Sequence, residues 1–268
     1  MSFLKEILET KKLRVAEARR LRPIDDVRAT ALEIRRKAKP HRFLSALKKK
    51  GLNIIAEVKR ASPSQGVIRA DIDVGAIARS YESGGAAAIS VLTEEDRFQG
   101  KLDDLIEARA AVTLPILRKD FIFDEYQIYE TAAAGVDALL LIVAALDDAT
   151  LVRLRDIAEN QLGMDALVEV HTSDELLRAN SSGARLIGVN NRDLHTLKVS
   201  ISVSLQLVRE MSLNALFVSE SGLQSPDDLD RLHRLGYRGF LIGESLMRST
   251  DPEGTLRELL RKKATRVQ

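Results

Sequence analysis

Short apolar runs recur along the chain from residue 53 onward, at intervals of about 20 to 30 residues. Most of these runs lack the apolar–polar alternation of a half-exposed strand, which is typical of strands buried on both faces of a parallel sheet. Eight such runs occur: Ile54 to Val58, Ala87 to Leu92, Pro115 to Leu117, Ala138 to Val143, Ala166 to Val170, Leu186 to Val189, Ala215 to Val218 and Phe240 to Ile242. The intervals fit one strand followed by one crossover helix.

Between the runs, apolar residues recur with helical spacing, beginning with the segment from Val74 to Tyr81. Side chains that can cap a helix precede a proline at Ser225 and Asp251, as is typical of a helix N terminus. Eight alternating units predict an α/β fold, a (β/α)8 TIM barrel over residues 51–268. A doubly wound open sheet is the alternative, but the first strand–helix junction, Lys59 to Asp71, lacks the G-x-G-x-x-G pattern.

Residues 1–50 precede the first run and begin with an apolar stripe of Phe3, Leu4, Ile7 and Leu8. Such a stripe needs a partner surface. We therefore expect an N-terminal helical extension that packs on the barrel over its catalytic end, the chain forming a single domain overall.

The charge of the chain is uneven. Residues 1–50 hold 16 Lys and Arg against 6 Asp and Glu, whereas the remaining residues hold 25 against 33. A basic segment admits a nucleic acid or an acidic partner, but no aromatic residues are interleaved here to stack on bases. A solvated helical face, or a cap over an anionic ligand, is the favoured interpretation, and no nucleic-acid partner is expected.

The composition narrows the class of protein further. Of the 268 residues, 45% are hydrophobic and 30% are charged, which is typical of a globular chain. The absence of Cys excludes disulfides, thiolate nucleophiles and Cys-ligated metals, and the four His are too scattered to predict a metal site. The longest apolar run, Ala138 to Leu146, has nine residues where a membrane span needs about twenty. We expect a cytoplasmic protein without a membrane partner.

Charged residues stand at the ends of the odd-numbered strands, where a TIM barrel carries its chemistry. Glu57 and Lys59 share one face of the first strand because side chains alternate along a strand. Lys119, Glu169 and Glu220 end the third, fifth and seventh strands. Alternate strands contribute side chains to one interior layer, and buried charge is costly unless it is paired or used. The pattern therefore favours convergence in an active site over exposed loop charges.

A second signal follows the last two strands. Ser221-Gly222 and Gly243-Glu244-Ser245 place small residues and free backbone N–H groups where barrel enzymes often hold phosphate. Tight turns explain either segment alone, but both together predict a phosphate site.

Several longer segments have an order and spacing that a barrel alone does not require. They are E-V-K-R-A-S-P-S at residues 57–64, S-V-L-T-E at 90–94, L-R-K-D-F at 117–121, Y-Q-I-Y-E at 126–130, G-V-N-N-R-D-L at 188–194, S-E-S-G at 219–222 and G-E-S-L-M at 243–247. In these segments the chain resembles the indole-3-glycerol phosphate synthase family, phosphate-binding TIM barrels of tryptophan biosynthesis. The resemblance covers nearly the whole chain and departs from the family at Arg97, Lys101 and Leu197.

The resemblance implies a lyase that closes the pyrrole ring of 1-(2-carboxyphenylamino)-1-deoxyribulose 5-phosphate, with loss of CO₂ and water. It implies that Lys119 is the general acid for ring closure and Glu169 an acid/base partner. Lys59 is then the cation at the substrate carboxylate and a candidate acid for dehydration, and Glu57 polarises or deprotonates a group nearby.

The resemblance also implies the binding residues. Ser62, Phe98 and Phe121 border the carboxyphenyl pocket, Asn190, Arg192 and Glu220 hold the ribulose hydroxyls, and Ser221, Gly222, Gly243 and Ser245 hold the phosphate. No metal and no organic cofactor are implied, because the substrate supplies its own electron sink. The expected partner is a small sugar phosphate, and the expected state is a monomer or a weak homodimer.

Two other classes stay open at this point. Other phosphate-binding barrels of the same pathway are phosphoribosylanthranilate isomerase, which relies on a Cys that this chain lacks, and the tryptophan synthase α subunit. Neither combines Glu-x-Lys on strand 1 with Lys-Asp-Phe on strand 3. The second class is a non-catalytic barrel that binds a sugar phosphate or RNA, and the presence of both Lys59 and Lys119 argues against it.

Overall fold

The computed structural model describes residues 3–194 and 196–261, and in this range eight parallel strands form a closed barrel. The strands are β1 (Asn53–Val58), β2 (Ala88–Leu92), β3 (Ile116–Lys119), β4 (Ala138–Ile142), β5 (Asp165–Val170), β6 (Leu186–Asn190), β7 (Leu216–Glu220) and β8 (Gly239–Ile242). Sequential strands pair, and β1 pairs with β8, so the sheet has no open edge. The predicted TIM barrel is confirmed and the open-sheet alternative is wrong. Residues 262–268 of the predicted barrel segment lie outside the described residues.

Helices surround the barrel and precede it. They are α1 (Phe3–Leu21), α2 (Ile24–Lys37), α3 (Arg42–Leu47), α4 (Val74–Gly84), α5 (Leu102–Ala111), α6 (Glu125–Ala133), α7 (Asp148–Asp156), α8 (Ser173–Ser181), α9 (Ser202–Leu207), α10 (Pro226–Arg234), α11 (Glu244–Arg248) and α12 (Pro252–Leu260). The side chains of Ser225 and Asp251 accept hydrogen bonds from the backbone N–H groups of Asp228 and Gly254, which confirms both predicted caps. Among the described helices, none combines the length and the apolarity that a membrane span requires.

The third strand is longer than its apolar run. It continues through Arg118 and Lys119, which pair in register with Val91 and Leu92 of β2. The two cations leave the strand on opposite faces: Arg118 contacts Glu130 of α6 outside the barrel, and the Lys119 side chain lies inside it. A hydrophobicity pattern ends at these residues because it cannot register charges that are buried in ion pairs.

The helix α3 closes the barrel at its amino-terminal end. Phe43 and Leu47 are fully buried, and they pack against interior side chains of the strands. The Leu44 N–H donates to Asp165 Oδ2 at the start of β5, and Asn53 Nδ2 at the start of β1 donates to the Leu47 carbonyl. The helix α3 therefore covers the amino-terminal ends of the strands, which would otherwise be exposed to solvent.

The other two helices of the extension occupy different places. The helix α2 packs beside α6 on the outside of the barrel. The helix α1 reaches the carboxyl end, where the buried Lys11 ammonium lies 2.9 Å from Asp120 Oδ1 and also contacts Glu95. Sequence analysis expected the whole extension at the catalytic end, and the structure corrects this. Only α1 lies there, because the apolar surface of α3 matches the barrel floor.

We expect Phe43→Ala to reduce the free energy of unfolding by about 3–5 kcal/mol, because it leaves a cavity where α3 meets the barrel interior. Leu13→Ala, on the exposed face of α1, is the control and should change stability by less than about 0.5 kcal/mol. Urea denaturation followed by far-UV circular dichroism measures both values. A Phe43→Ala protein as stable as the control would contradict the assignment of α3 to the core.

Candidate active site

The carboxyl ends of the strands surround a cavity of about 670 Å³. Every site residue that sequence analysis named lines it: Glu57, Lys59, Ser62, Phe98, Lys119, Phe121, Glu169, Asn190, Arg192, Glu220, Ser221, Gly222, Gly243 and Ser245. Phe3 of α1 also reaches the lining. The barrel thus gathers at one place residues that are more than 180 positions apart in the chain.

Lys119 lies at the centre of the charged layer. Its Nζ is 2.9 Å from Glu169 Oε2 and 3.3 Å from Glu220 Oε2, so one ammonium group contacts carboxylates from β5 and β7. All three side chains are largely buried, with exposed fractions of 14%, 2% and 1%. The odd strands do bring these side chains into one layer, as alternate strands of a TIM barrel do.

This geometry separates the pKa values of the two carboxyl groups. Burial alone would raise the pKa of Glu169, but the charge of Lys119, supported by His171, outweighs it and holds the pKa well below its usual range. Burial dominates at Glu220 and raises its pKa to about 8, because the attraction to Lys119 is offset by the charge of Glu169. Neither oxygen of Glu220 has a hydrogen-bond partner among the described residues. Of the two carboxyl groups, Glu169 is therefore the one that ionises first, and Glu220 keeps its proton to higher pH.

Lys119 itself stays charged. Burial lowers the pKa of its ammonium group, but the charges of Glu169, Glu220 and Glu57 outweigh burial and raise this pKa well above its ordinary value. The site therefore holds a proton donor beside a proton acceptor.

A glycine creates the space for the Glu220 carboxyl group in this layer. Gly188 on β6 also faces the barrel interior, and a methyl group there would overlap Glu220 Oε1. The space that Gly188 leaves open on β6 is thus filled by the longer side chain of Glu220 on the neighbouring strand β7.

A second ion pair lies at the end of β1. Lys59 Nζ is 2.7 Å from Glu57 Oε1, and both side chains are mostly buried. Gly243 after β8 lies against this pair, since a methyl group at Gly243 would be 2.5 Å from Glu57 Oε1 and 3.1 Å from Lys59 Nζ. A cation paired with only one carboxylate can accept an anionic group of a ligand.

One wall of the cavity is apolar. The rings of Phe98 and Phe121 lie with centroids 6.5 Å apart, and Leu140 and Ile142 of β4 line the same cavity. The Phe98 loop is fixed by Glu94, which is buried and accepts the backbone N–H groups of residues 96, 97 and 98. The wall suits a planar aromatic group.

Another side of the cavity is polar, and its residues form hydrogen bonds with one another. Asn190 Oδ1 accepts from the Arg192 backbone N–H and from the Ser221 hydroxyl, at 3.0 and 2.9 Å. Arg192 Nη1 donates to Ser64 Oγ of the loop after β1 and to the Leu197 carbonyl. Ser221 has φ of 66°, in the left-handed region, and its bond to Asn190 helps to hold that conformation. The loops after β1, β6 and β7 are therefore joined.

The residues that we expect to bind the phosphate follow the strands β7 and β8. Ser221 and Gly222, the latter with φ of 75°, directly follow β7, while Gly243 directly precedes the short helix α11 and Ser245 lies in its first turn. Ser62 is buried nearby in a two-residue strand that pairs with Gly66–Val67, and its hydroxyl lacks a hydrogen-bond partner among the described residues. Its free hydroxyl fits a residue that meets a ligand.

Sequence analysis missed several residues that support the site. His171 lies 3.4 Å from Glu169 Oε1, and alternation along β5 already places it on the same face as Glu169. Asp120 is buried behind Lys119, between Arg118 and Lys11 of α1. No pattern in the sequence signals that contact, because Lys11 and Asp120 are brought together only by the fold. The structure also locates two of the residues at which the chain departs from the family pattern. Arg97 forms an ion pair with Glu6, and Lys101 directly precedes α5.

The chain matches one known protein family over most of its length. Residues 4–259 match the family model described as indole-3-glycerol phosphate synthase. The chain is 53% identical over 224 residues to the indole-3-glycerol phosphate synthase of Koribacter versatilis, covering 82% of this chain and 86% of that protein. It is 47% identical to that of Syntrophobacter fumaroxidans, covering 96% and 97%.

Solved structures share the fold at low sequence identity. A thiamine phosphate pyrophosphorylase from Pyrococcus furiosus matches with a TM-score of 0.58 at 16% identity, covering 80% of this chain and 95% of that chain. KGPDC from Streptococcus mutans matches with a TM-score of 0.60 at 14% identity, covering 77% and 94%. These structures support the barrel alone. On the family model and the relatives, which span nearly the whole chain, this protein belongs to the indole-3-glycerol phosphate synthase family.

Proposed function

We propose that this protein is a carboxy-lyase that converts 1-(2-carboxyphenylamino)-1-deoxyribulose 5-phosphate into indole-3-glycerol phosphate, CO₂ and water. One observation carries the assignment of roles: a single cavity holds the Lys119 ammonium between two carboxylates, the separate Lys59–Glu57 pair and an aromatic wall. The reaction needs a proton donor, a proton acceptor, a carboxylate anchor and a slot for an aromatic ring.

Ring closure is the step for Lys119. The ring carbon that bears the carboxylate attacks the ketone carbon, a carbon–carbon bond forms, and the ketone oxygen takes a proton from the Lys119 ammonium. An alkoxide is a stronger base than an amine, so the transfer is favourable even though the pKa of Lys119 is raised. The aromatic ring is held against Phe98 and Phe121.

Decarboxylation needs no proton. The bond between the ring carbon and the carboxylate breaks, CO₂ leaves, and the electron pair restores the aromatic ring. Lys59 holds the carboxylate during ring closure. It pairs with only one carboxylate among the residues that the structure describes, which leaves it available for this contact. The substrate supplies the electron sink, so the proposal includes no metal and no organic cofactor.

Dehydration requires both an acid and a base. The new hydroxyl group leaves as water with a proton from Lys59, and the adjacent carbon loses a proton to Glu169. Glu169 Oε2 lies 2.9 Å from Lys119 Nζ, so the proton can return to Lys119 and reset the first acid. Lys59 regains its proton from solvent, and the turnover consumes one proton in total. Glu57 keeps Lys59 oriented through their 2.7 Å contact.

The remaining part of the substrate lies on the polar side. We place the phosphate between Ser221-Gly222 and Gly243-Ser245, where backbone N–H groups and hydroxyls provide donors without a cation. Asn190, Arg192 and Glu220 border the ribulose chain. The protonated Glu220 can donate a hydrogen bond to a hydroxyl, which an ionised carboxylate cannot do.

The protein should produce indole fluorescence from the substrate in the presence of EDTA, and Lys119→Met should lower kcat by about 10² to 10⁴, the usual size of general-acid catalysis. Met keeps the approximate volume of Lys but cannot give a proton. Stopped-flow or steady-state fluorescence measures both rates. No turnover by the wild-type protein would favour a binding module over an enzyme, and a near-normal kcat of Lys119→Met would remove Lys119 as the acid.

Lys59→Met should affect binding first, because an anchor for the substrate carboxylate already acts in the ground state. We expect KM to rise at least about tenfold, as for a lost charge-assisted contact, with a further loss of kcat if Lys59 also serves dehydration. Lys101→Met, on the outer side of the same end of the barrel, is the control. An unchanged KM in Lys59→Met would place the substrate carboxylate elsewhere.

For the phosphate, Ser245→Asp is a cleaner test than a change at Gly243, where any side chain would collide with Glu57. The added negative charge should raise KM by about tenfold or more through repulsion of the phosphate, with the fold intact. Thr250→Asp adds the same charge at an exposed position beyond α11 and should leave KM unchanged. Equal KM values for the two variants would contradict this placement of the phosphate.

A further inference from the structure

His171 is a buried titratable group that the proposed reaction does not use. It follows β5 directly, its side chain is 10% exposed, and it lines a separate cavity of about 310 Å³ next to the larger one. Its ring lies between two carboxylates: Nδ1 is 3.1 Å from Glu175 Oε2, and Nε2 is 3.4 Å from Glu169 Oε1.

The surroundings decide the charge of this ring. Glu175 is fixed in place because its Oε2 also accepts the His171 backbone N–H at 2.7 Å, within the first turn of α8. Carboxylate oxygens that are ionised only accept hydrogen bonds, so a ring nitrogen facing one of them needs a proton. Nδ1 hydrogen-bonds to Glu175 Oε2, whereas Nε2 has no hydrogen-bond partner among the described residues and faces Glu169 Oε1 at ion-pair distance. Both nitrogens thus lie beside negative charge, which favours the imidazolium form.

The charged groups that face His171 from other elements do not change the preference for the imidazolium form. Arg192 and Asp193, from the loop after β6, border the same small cavity and carry opposite charges. The helix α1 contributes Leu4, which has no charge. Burial lowers the pKa of His171, but its contacts with Glu169 and Glu175 and the charges of these carboxylates outweigh burial and raise this pKa to about 10.

The two oxygens of Glu169 thus have separate cations. Oε1 faces His171, and Oε2 faces Lys119. Glu220, by contrast, has Lys119 as its cation, at the longer distance of 3.3 Å. The two carboxyl groups around Lys119 thus differ in two ways: Glu169 lies closer to the ammonium group, and it has the imidazolium behind it.

We propose that His171 is a positioning residue whose permanent positive charge keeps Glu169 ionised and turned toward Lys119, which leaves the proton of the carboxyl pair on Glu220. The inference rests on the proposed function, since it explains how Glu169 becomes the proton acceptor and Glu220 the hydrogen-bond donor. His171 holds its proton throughout and transfers none. Its effect therefore reaches the substrate through Glu169.

His171→Gln tests this role, because Gln keeps a neutral donor near the position of Nε2 and removes the charge. We expect kcat to fall about 10- to 100-fold through misplacement of Glu169, with KM changed less than about twofold. Loss of a nearby cation raises the pKa of Glu169, so the acid limb of the kcat profile should move to higher pH by about 1 to 3 units. His233→Gln, on α10 and away from the site, is the matched control and should leave kcat and the profile unchanged.

The charge of His171 is measured independently by NMR of the imidazole nitrogens in the wild-type protein, with the His171→Gln spectrum identifying the signals. We expect the doubly protonated form throughout the range from about pH 6 to 9, where an ordinary His titrates. Titration with a midpoint near its ordinary pKa would overturn the proposal. So would a loss of kcat in His171→Gln without movement of the acid limb, which indicates a merely structural role. If the wild-type protein forms no product while His171 stays charged, the proposed function fails and the charge assignment stands.

Discussion

An ammonium group buried inside a barrel of apolar strands is stable only with carboxylates beside it, and this requirement at Lys119 shapes the whole site. One cation does not balance two ionised carboxylates at close range, so one of the pair takes up a proton. The barrel decides which one: Glu169 has a second cation behind it, and within the described part of the chain Glu220 has none besides Lys119. Charge neutrality in a region of low dielectric constant thus produces a donor and an acceptor side by side, before any substrate binds.

The sequence predicted the barrel and the main charged residues because both depend on local periodicity. Alternation along a strand places Glu57 beside Lys59, and the rule that alternate strands share a layer brings Lys119 near Glu169. The same alternation places His171 on the face of Glu169. It was not predicted as a site residue, because a single His in a sequence does not indicate which residues it contacts. The extension was the weakest prediction. An apolar stripe shows that α1 needs a surface, but only the fold shows that α1 and α3 lie at opposite ends of the barrel.

The contact between Lys11 and Asp120 connects the N-terminal extension to the layer that contains Lys119, Glu169 and Glu220. Asp120 follows Lys119 directly in the chain and is shared by Lys11 of α1 and by Arg118, whose guanidinium also binds Glu130 of α6. These buried pairs gain their energy from close geometry, and separating one partner leaves an uncompensated charge. The position of α1 over the cavity and the direction of the Lys119 side chain are therefore coupled through one carboxylate. This coupling is electrostatic, since α1 reaches the cavity lining itself only through Phe3 among the residues that the structure describes.

The absence of a side chain at Gly188 has a consequence for how this protein can change over generations. Positions 188 and 220 share one volume, and any larger residue at 188 displaces the Glu220 carboxyl group before it does anything else. A side chain at 188 and the Glu220 carboxyl group in its present position therefore exclude each other. Substitutions at these two positions are thus coupled through the volume of a single methyl group.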